Sequence, residues 1–586
     1  MLTSSVLIIA PMFFALVVLM SAVKVRNILT IFFILVLSVF TLTNIVSQNY
    51  LFEFTFPHAI HYIFVFVDIV LLLYFLVQGL IFKNNLVTIL AASQMVLYSI
   101  VLFLTPALNS SDIFVDNISS VMYLIINIVG GVIIIYALKY IESEEFTRFK
   151  KNAFISMLFF FLAVMNFIVS TNNIEIFFML FELTTLCSFV LIGYRKDKIS
   201  VDNALKALWM NQIGGVAILL ALIVSITQYD TIYFDILIAN IDDAFLLPIV
   251  LLAIAGFVKG ATIPFDKWLL GAMVAPTPVS AILHSATMVK IAPYLMLKLA
   301  PAMSGFISVT ITLIGTFVFF SASLLALSKD YFKEILGLST ISLLALMMAL
   351  AVVGTEPATT ACLVLIVFHA ISKALLFLQA GILEKSFHLK YVKDIDGLIN
   401  HSPLVVFFIV VGFASLTLPP FGAFIAKFMA IESIADMITT NPLYSLSIIF
   451  IALGSVFLTL LYFKVVTKLF AKNVDSKPRY VEISKYYTFT SSILLILLAV
   501  GVYISFDMEL LNSVEILVPI IFIIVTPLLF ATLLFKKAHR VKEYHCGEKD
   551  ELELSMYYFH MPKVVQKTIT VLAIVGMWIL IMGVIL

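Results

Sequence analysis

Seven ionisable side chains stand inside long apolar stretches of this sequence, and they are the residues best placed to do chemistry. They are Glu182, Lys259, His284, Lys290, His369, Lys373 and Lys427. Glu182, for example, interrupts the run FFMLFELTTLCSFVLIGY. A charge at the centre of a membrane costs about 2.5 to 3.5 kcal/mol on insertion scales, so such residues are rare unless they face a bundle interior and serve a function.

The types of these residues favour a proton relay. Burial disfavours the charged form of a lysine and a nearby carboxylate restores it, so a buried lysine can change its protonation state when a partner or water approaches. Histidine exchanges protons near neutral pH. A metal site would need more converging ligands than these His and Lys pairs offer. Inert internal ion pairs, and histidines that only hydrogen-bond within the bundle, are the alternatives.

The spacing of the two His–Lys pairs differs. His369 and Lys373 are four residues apart and therefore share one face of a helix. His284 and Lys290 are six residues apart, which places them on nearly opposite sides unless the helix is locally unwound.

Three further charged residues are less clearly placed. Lys206 lies near a predicted membrane boundary, and Asp68 and Asp116 are isolated acids in apolar surroundings. We expect Lys206 and Asp116 to be possible accessory members of the relay.

The composition predicts an all-α polytopic membrane protein. Of 586 residues, 63% are hydrophobic and 12% charged, with a mean hydropathy of +1.15. Soluble chains are about half apolar and a quarter charged. Hydrophobic windows predict about 18 spans, each of roughly 20 residues, in one bundle. The net charge of +1 excludes the basic surface that a nucleic acid would require.

The cysteines indicate that no redox group is bound by this chain. Cys187, Cys362 and Cys546 are far apart and show no CxxC spacing. We therefore expect no cofactor, iron–sulfur cluster, zinc site or disulfide framework here, and any redox chemistry would lie in another subunit.

The loops alternate in charge, and this alternation predicts the topology. Every second predicted loop is basic, for example RKDK at 195–198, whereas the intervening loops, such as 227–244 and 438–443, contain no Lys or Arg. Basic loops mark the cytoplasmic side. Both termini are then expected outside, in a multi-pass protein of the cell membrane.

Two predicted spans carry proline close to a buried lysine, in VKGATIPF and LPPFGAFIAK. Proline removes a helical hydrogen bond, and membranes tolerate such a break where protein or a water-filled cavity satisfies the freed groups. Paired broken helices are typical of inverted-repeat transporters. We predict five-helix repeats at 152–300 and 301–463. Residues 1–112 form N-terminal spans, two of them additional, and 113–151 form a core helix and a loop. The C-terminal spans occupy 464–586.

Ordered motifs from about 113 to 470 resemble a known superfamily. They are FFMLFELTTLCSFVLIGY, APTPVSAILHSATMVKIAPYLM, LSTISLLALMMAL, VFHAISKALLFLQAG and TLPPFGAFIAKF. They resemble the antiporter-like proton-translocating subunits that respiratory complex I, the multisubunit cation/proton antiporters and the membrane-bound energy-converting hydrogenases share.

The resemblance implies a role for each buried residue. Glu182 would be the ion-pair glutamate and Lys259 the central lysine of the first broken helix. Lys290, beside His284, would connect the two halves, and Lys427 would be the terminal lysine. The second-half relay would consist of His369 and Lys373.

Three features depart from the family pattern. Leu365 stands where many relatives have a second histidine, and Leu343 replaces a usual glutamine, so the relay is expected to depend more on water. The spans at about 60–105 have no counterpart in the family pattern.

The segment EYHCGEKDE, at 543–551, resembles a Cys-Gly-Glu element of energy-converting hydrogenases and formate hydrogenlyases. It favours a redox-driven hydrogenase complex whose partners would be other membrane subunits and, on the cytoplasmic side, peripheral hydrogenase-like and iron–sulfur subunits. A secondary Na+/H+ antiporter, a complex I-type dehydrogenase of NADH, reduced deazaflavin or ferredoxin, and a scaffold that moves no ions are the alternatives.

Overall fold

The computed structural model describes residues 2–46, 52–104, 110–241, 245–470, 483–508 and 560–585, and most of them are helical. The N-terminal helices are α1 Leu2–Met20, α2 Val23–Val46, α3 His58–Ile81, α4 Asn85–Leu104, α5 Asn117–Leu124 and α6 Gly130–Glu142. They are followed by α7 Arg148–Ile168, α8 Ile174–Ile192, α9 Lys198–Tyr229, α10 Phe234–Asn240, α11 Leu247–Lys259, α12 Lys267–Gly271, α13 Thr277–Ser285 and α14 Ile291–Leu299. The remaining helices are α15 Gly305–Leu327, α16 Phe332–Ala351, α17 Glu356–Ile382, α18 Pro403–Thr417, α19 Gly422–Asp436, α20 Tyr444–Phe470, α21 Lys485–Asp507 and α22 Lys563–Ile585.

Short elements complete the description. Strands β1 (Phe52–Phe54) and β2 (Ile113–Val115) pair antiparallel, and π-helical turns occupy Ile125–Val129 and Leu383–Phe387. The 3₁₀ turns are Gly193–Arg195, Ala272–Val274, Met288–Lys290, Ala300–Ala302, Val392–Asp394, Leu398–Asn400 and Met437–Thr439.

Within the described residues, fifteen helical segments are long and apolar enough to cross a membrane, and Ser4–Met20 and Leu247–Lys259 are shorter apolar helices. Each of these segments matches a predicted span. The remaining predicted span, 516–535, lies outside the described residues, as does the EYHCGEKDE segment. The chain is a multi-pass helical membrane protein, as its composition indicates.

The core consists of two five-helix repeats. The first runs from α7 through α8, α9 and the α11/α12 pair to α13/α14, and the second runs from α15 through α16, α17 and the α18/α19 pair to α20. The fourth member is interrupted in both. In each repeat the first and third interhelical loops are joined by an isolated bridge, Asn173 with Tyr233 and Tyr331 with Tyr391. Because five crossings separate equivalent loops, the second repeat is inverted relative to the first.

The basic loops meet at one end of the bundle, which we call the basic face. Glu144 there forms ion pairs with Lys385 at 2.7 Å and with Arg195 at 3.4 Å, although these residues come from distant loops. At the other end, the opposite face, Lys298 Nζ donates to the Thr171 carbonyl at 2.8 Å. The alternation of loop charge therefore corresponds to two real faces. Which of them is cytoplasmic stays a prediction.

The structure adds a third interruption to the two that the prolines predict. Helix α13 ends at Ser285 and α14 begins at Ile291, with a 3₁₀ turn between them. Pro293 offers no N–H to the Val289 carbonyl, which weakens helical hydrogen bonding here. This local unwinding is the condition under which His284 and Lys290 can be brought to related positions.

The hairpin of α3 and α4 packs its inner side on α8 and α9. Its outer side is strongly apolar, with Phe66, Val70 and Leu73 exposed. The two additional spans of the sequence are thus attached to the first repeat rather than standing apart from the core.

Helices α15 and α16 are expected to tolerate almost no added volume at Gly315. A Cβ there would lie 2.6 Å from the Ala345 carbonyl oxygen and 2.9 Å from the Ala349 Cβ. We expect Gly315→Ala to destabilise the protein by about 1 to 3 kcal/mol, because backbone cannot yield as a side chain can. The measurement is thermal unfolding in detergent. The control Gly130→Ala meets only the Leu162 side chain at 3.4 Å or beyond; equal midpoints for the two variants would contradict this packing.

Cysteine labelling tests which face is cytoplasmic. Lys393 is exposed on the basic face and Thr440 is exposed on the opposite face, while Cys187 and Cys362 are buried. In a background carrying Cys546→Ser, we expect Thr440→Cys to react with an impermeant maleimide on intact cells and Lys393→Cys to react only after permeabilisation. The reverse pattern would overturn the assigned orientation.

Candidate functional site: a buried line of ionisable residues

All seven ionisable residues singled out in the sequence are buried. Six of them are fully inaccessible and Lys427 is 5% exposed. They come from α8, α11, α13, the turn before α14, α17 and α19, so both repeats contribute. The structure therefore places the whole set inside the bundle rather than against lipid.

Lys259 is the last residue of α11, where the first broken helix stops. Its Nζ donates to the Phe181 carbonyl at 3.0 Å and to Thr185 Oγ1 at 2.9 Å, and lies 3.7 Å from the centre of the Phe181 ring. Among the residues that the structure describes, no ion pair joins Lys259 to Glu182. The lysine instead binds α8 on either side of the glutamate, at a backbone carbonyl before it and at a side-chain hydroxyl after it.

Glu182 is held by a residue from the additional hairpin. Gln94 Nε2, on α4, donates to Glu182 Oε1 at 2.8 Å and to the Gln212 carbonyl at 3.1 Å. A Cβ on Gly215 would overlap both Glu182 Oε1 and Gln94 Nε2. Glycine at this position of α9 is what lets the two side chains meet.

Lys373, in the second repeat, repeats the arrangement of Lys259. Its Nζ donates to the Leu336 carbonyl at 3.0 Å and to Ser339 Oγ. In both repeats, then, a lysine binds a carbonyl of the second helix together with a hydroxyl one turn further on. The lysine comes from the fourth helix in the first repeat and from the third helix in the second, so the correspondence is one of contacts and not of position.

Lys290 and His369 form the link between the two repeats. Lys290 Nζ lies 2.8 Å from His369 Nδ1 and 3.6 Å from the Met347 sulfur. His284 sits nearby with its ring 4.9 Å from the ring of Phe377. Lys290 is the last residue of the unwound turn before α14, and from there its side chain reaches α17.

Lys427 binds the end of the second broken helix. Its Nζ donates to the Leu416 carbonyl at 3.2 Å. That carbonyl would normally accept from the residue four positions on, but this residue is Pro420, which has no N–H. Lys427 therefore donates to the carbonyl that the proline leaves without a backbone donor. The C-terminal end of a helix also favours a cation.

Several buried polar atoms along this line have no protein partner within the described residues. They are Glu182 Oε2, both amide atoms of Gln212, Thr262 Oγ1, Ser280 Oγ, both ring nitrogens of His284, and His369 Nε2. Buried polar atoms are normally hydrogen-bonded, so this cluster marks the line as a polar path through an apolar bundle.

The accessory candidates lie apart from these contacts. Lys206 donates to Asn203 on its own helix at 3.3 Å. Asp116 caps α5 by accepting from the Ser119 N–H at 2.7 Å. A participation of either residue in the relay stays a prediction.

No pattern in the sequence singles out Gln94, Thr185 or Ser339. Each is a small or uncharged polar residue in an apolar helix, a class too common to attract notice. The one available signal was an amide within the LAASQMVLY stretch of a span that had no family counterpart.

Two family models match this chain. Residues 171–459 match the family described as NADH:quinone oxidoreductase/Mrp antiporter, TM, and residues 109–150 match NADH-Ubiquinone oxidoreductase (complex I), chain 5 N-terminus. All seven buried residues lie within the first of these matches.

The chain is also similar to curated and solved proteins. It is 32% identical over 374 residues to Na(+)/H(+) antiporter subunit A1 of Staphylococcus haemolyticus and 31% identical over 374 residues to that of Staphylococcus aureus, covering 59% of this chain and 46% of each relative. It thus spans about half the length of the curated relatives it matches. The solved Mrp complex from Dietzia sp. shares the fold, with a TM-score of 0.59 and 21% identity over 89% of this chain and 56% of that chain. This protein belongs to the superfamily of antiporter-like membrane subunits shared by complex I and the Mrp antiporters.

Proposed function

We propose that this protein moves protons across the cell membrane as one subunit of a multisubunit complex. The path follows Glu182, Lys259, His284, Lys290, His369, Lys373 and Lys427. The observation that carries the proposal is the 2.8 Å contact between Lys290 and His369. This contact connects the ionisable groups of one repeat to those of the other inside the bundle.

The partners of the lysines suit them to changing protonation state. Thr185 and Ser339 present hydroxyl groups, which accept from a charged ammonium and can turn to donate to a neutral amine. The carbonyl of the neighbouring helix accepts in either state. Lys259 and Lys373 thus keep their contacts when they lose a proton, which lowers the cost of transfer.

The charge balance of the line also supports transfer rather than a static network. Four lysines and two histidines share one carboxylate, Glu182. Because burial strongly disfavours uncompensated charge, all four lysines cannot be charged together at reasonable cost. A proton arriving at one of them disfavours charge on its neighbours, and this coupling moves protons along the line. The unpartnered polar atoms near His284 and Gln212 are the groups that water would bridge between them.

Two kinds of complex would use such a subunit. The relatives are named Na(+)/H(+) antiporter subunit A1, which favours exchange of a cation for protons without an electron donor. The second candidate is a redox-driven energy-converting hydrogenase with peripheral iron–sulfur partners, favoured by the EYHCGEKDE segment. In either complex this chain is the membrane part and carries no cofactor, and its partners are the other subunits and the lipid bilayer.

Removal of the lysine at either broken helix should strongly slow translocation without preventing assembly. We expect Lys259→Ala and Lys427→Ala each to slow proton movement into vesicles about tenfold or more, because a relay cannot bridge the missing group. The rate is measured with a pH-sensitive dye after the intact complex is reconstituted.

Lys464→Ala is the matched control for both variants. Lys464 is also a buried lysine bound to backbone carbonyls, those of Leu327 and Lys329, but it lies at the basic face away from the line. It should retain transport. Unchanged transport in both line variants would refute the relay, and loss of assembly in both would support the scaffold alternative.

The two kinds of complex differ in the energy source that drives proton movement into the vesicles. For the antiporter, we expect an added Na+ gradient to produce a pH change with no electron donor present. For the hydrogenase, the pH change should require a reduced electron carrier and should vanish when the peripheral subunits are stripped. If both the Na+ gradient and the reduced carrier produce a pH change, identification of the subunits in the same purified sample decides between the antiporter and the hydrogenase.

A further inference from the structure

The α3–α4 hairpin carries buried polar chemistry that the line above does not use. It occupies residues 58–104, which precede both family matches, at 109–150 and 171–459. Its inner side holds Asp68, Gln94 and Tyr98, all at most 2% exposed. A hairpin needed only for packing against α8 and α9 would present apolar residues there, since polar groups cost free energy when buried in a membrane.

Asp68 is the least expected of these residues. It is 1% exposed, and within the described chain its carboxylate oxygens make no hydrogen bond of ordinary geometry, although the Tyr98 hydroxyl interacts with them. The titratable groups that interact electrostatically with it are Tyr98 on the hairpin and Glu175 and Glu182 on α8. No cation among the described residues offsets it, so a fixed charge at this position would be very costly. A carboxyl group that carries and releases a proton is consistent with these surroundings.

Glu175 and Glu182 mark the two ends of this cluster. They are seven residues apart on α8, so they share a face and are separated by about 10 Å along the helix. That distance is too long for direct proton transfer. Asp68 faces both of them from α3, and Gln94 binds Glu182 directly at 2.8 Å.

The cluster reaches the surface at the opposite face. Glu175 lies in the first turn of α8 and is only partly buried, and Tyr98 Oη donates to its Oε1 at 3.0 Å. His61 and Asp112 also face Glu175 and lie 3.2 Å from each other. The His61 side chain is 16% exposed, so the outermost member of the cluster is accessible from that side.

We propose that the α3–α4 hairpin is a lateral proton path, which connects the opposite face to Glu182 through Glu175, Tyr98, Asp68 and Gln94. This inference rests on the proposed function, since it supplies protons to the same line. Protons pass between carboxyl groups, with the Tyr98 hydroxyl as the intermediate donor and acceptor, while Gln94 holds Glu182 in position. The additional spans are thereby part of the transport machinery.

Substitutions at Asp68 separate a proton carrier from a packing residue. Asp68→Asn keeps the size and loses the exchangeable proton, whereas Asp68→Glu keeps the proton and changes the size. In the intact reconstituted complex we expect the first to slow translocation about tenfold and the second to retain most of the rate. The control is Leu72→Met, which alters a 1%-exposed residue one turn further along α3 with little change in volume, and it should transport normally.

The outcomes distinguish this inference from the proposed function. If Lys259→Ala stops transport while Asp68→Asn does not, the lateral path is refuted and the line stands. If neither variant affects transport, the proposed function fails as well. If both Asp68 variants are equally impaired, or if Asp68→Asn fails to assemble, the carboxyl group has a structural role and the inference is overturned. Gln94→Met gives a second reading, since loss of its contact to Glu182 should also slow transport in an assembled complex.

Discussion

A lysine inside an apolar bundle must find oxygen atoms to accept its hydrogens, and a regular helix has few to give. Its carbonyls already accept from the backbone four residues on. The protein meets this constraint in two ways. Lys427 takes the Leu416 carbonyl, which is free because Pro420 has no N–H. Lys259 and Lys373 share carbonyls that remain in the helical ladder and add a hydroxyl one turn away.

This constraint explains why the interruptions lie where they do. The breaks after α11 and α18 and the unwound turn before α14 all occur beside a buried lysine. Unpaired backbone groups in a membrane are tolerated only where protein or water satisfies them. At these three places the interruption and the buried lysine form a single structural feature.

The inverted repeats bring the two halves of the line together without making them identical. Lys290, from the last helix of the first repeat, meets His369, from the third helix of the second. The bridges that join the first and third loops of each repeat lie at opposite faces, Asn173 with Tyr233 at one and Tyr331 with Tyr391 at the other. Because the lysines come from different helices in the two repeats, the two halves of the line have similar contacts at different positions.

The sequence by itself determined the class of the protein, nearly all of its spans, the alternation of its faces and the seven buried residues. These follow from local quantities, namely hydropathy over a window, loop charge, and the cost of a charge in an apolar run. Only the tertiary structure decided which residues touch. The Gln94–Glu182 contact joins positions 88 residues apart, and the absence of an ion pair between Glu182 and Lys259 in the described residues depends on how α8 and α11 are packed. From the sequence, unwinding near 286–290 is only the condition under which His284 and Lys290 could lie on related sides. A single Pro293 does not fix where a helix opens. Partner choice in a packed bundle depends on distances between elements far apart in the chain, and no pattern along the chain encodes those distances directly.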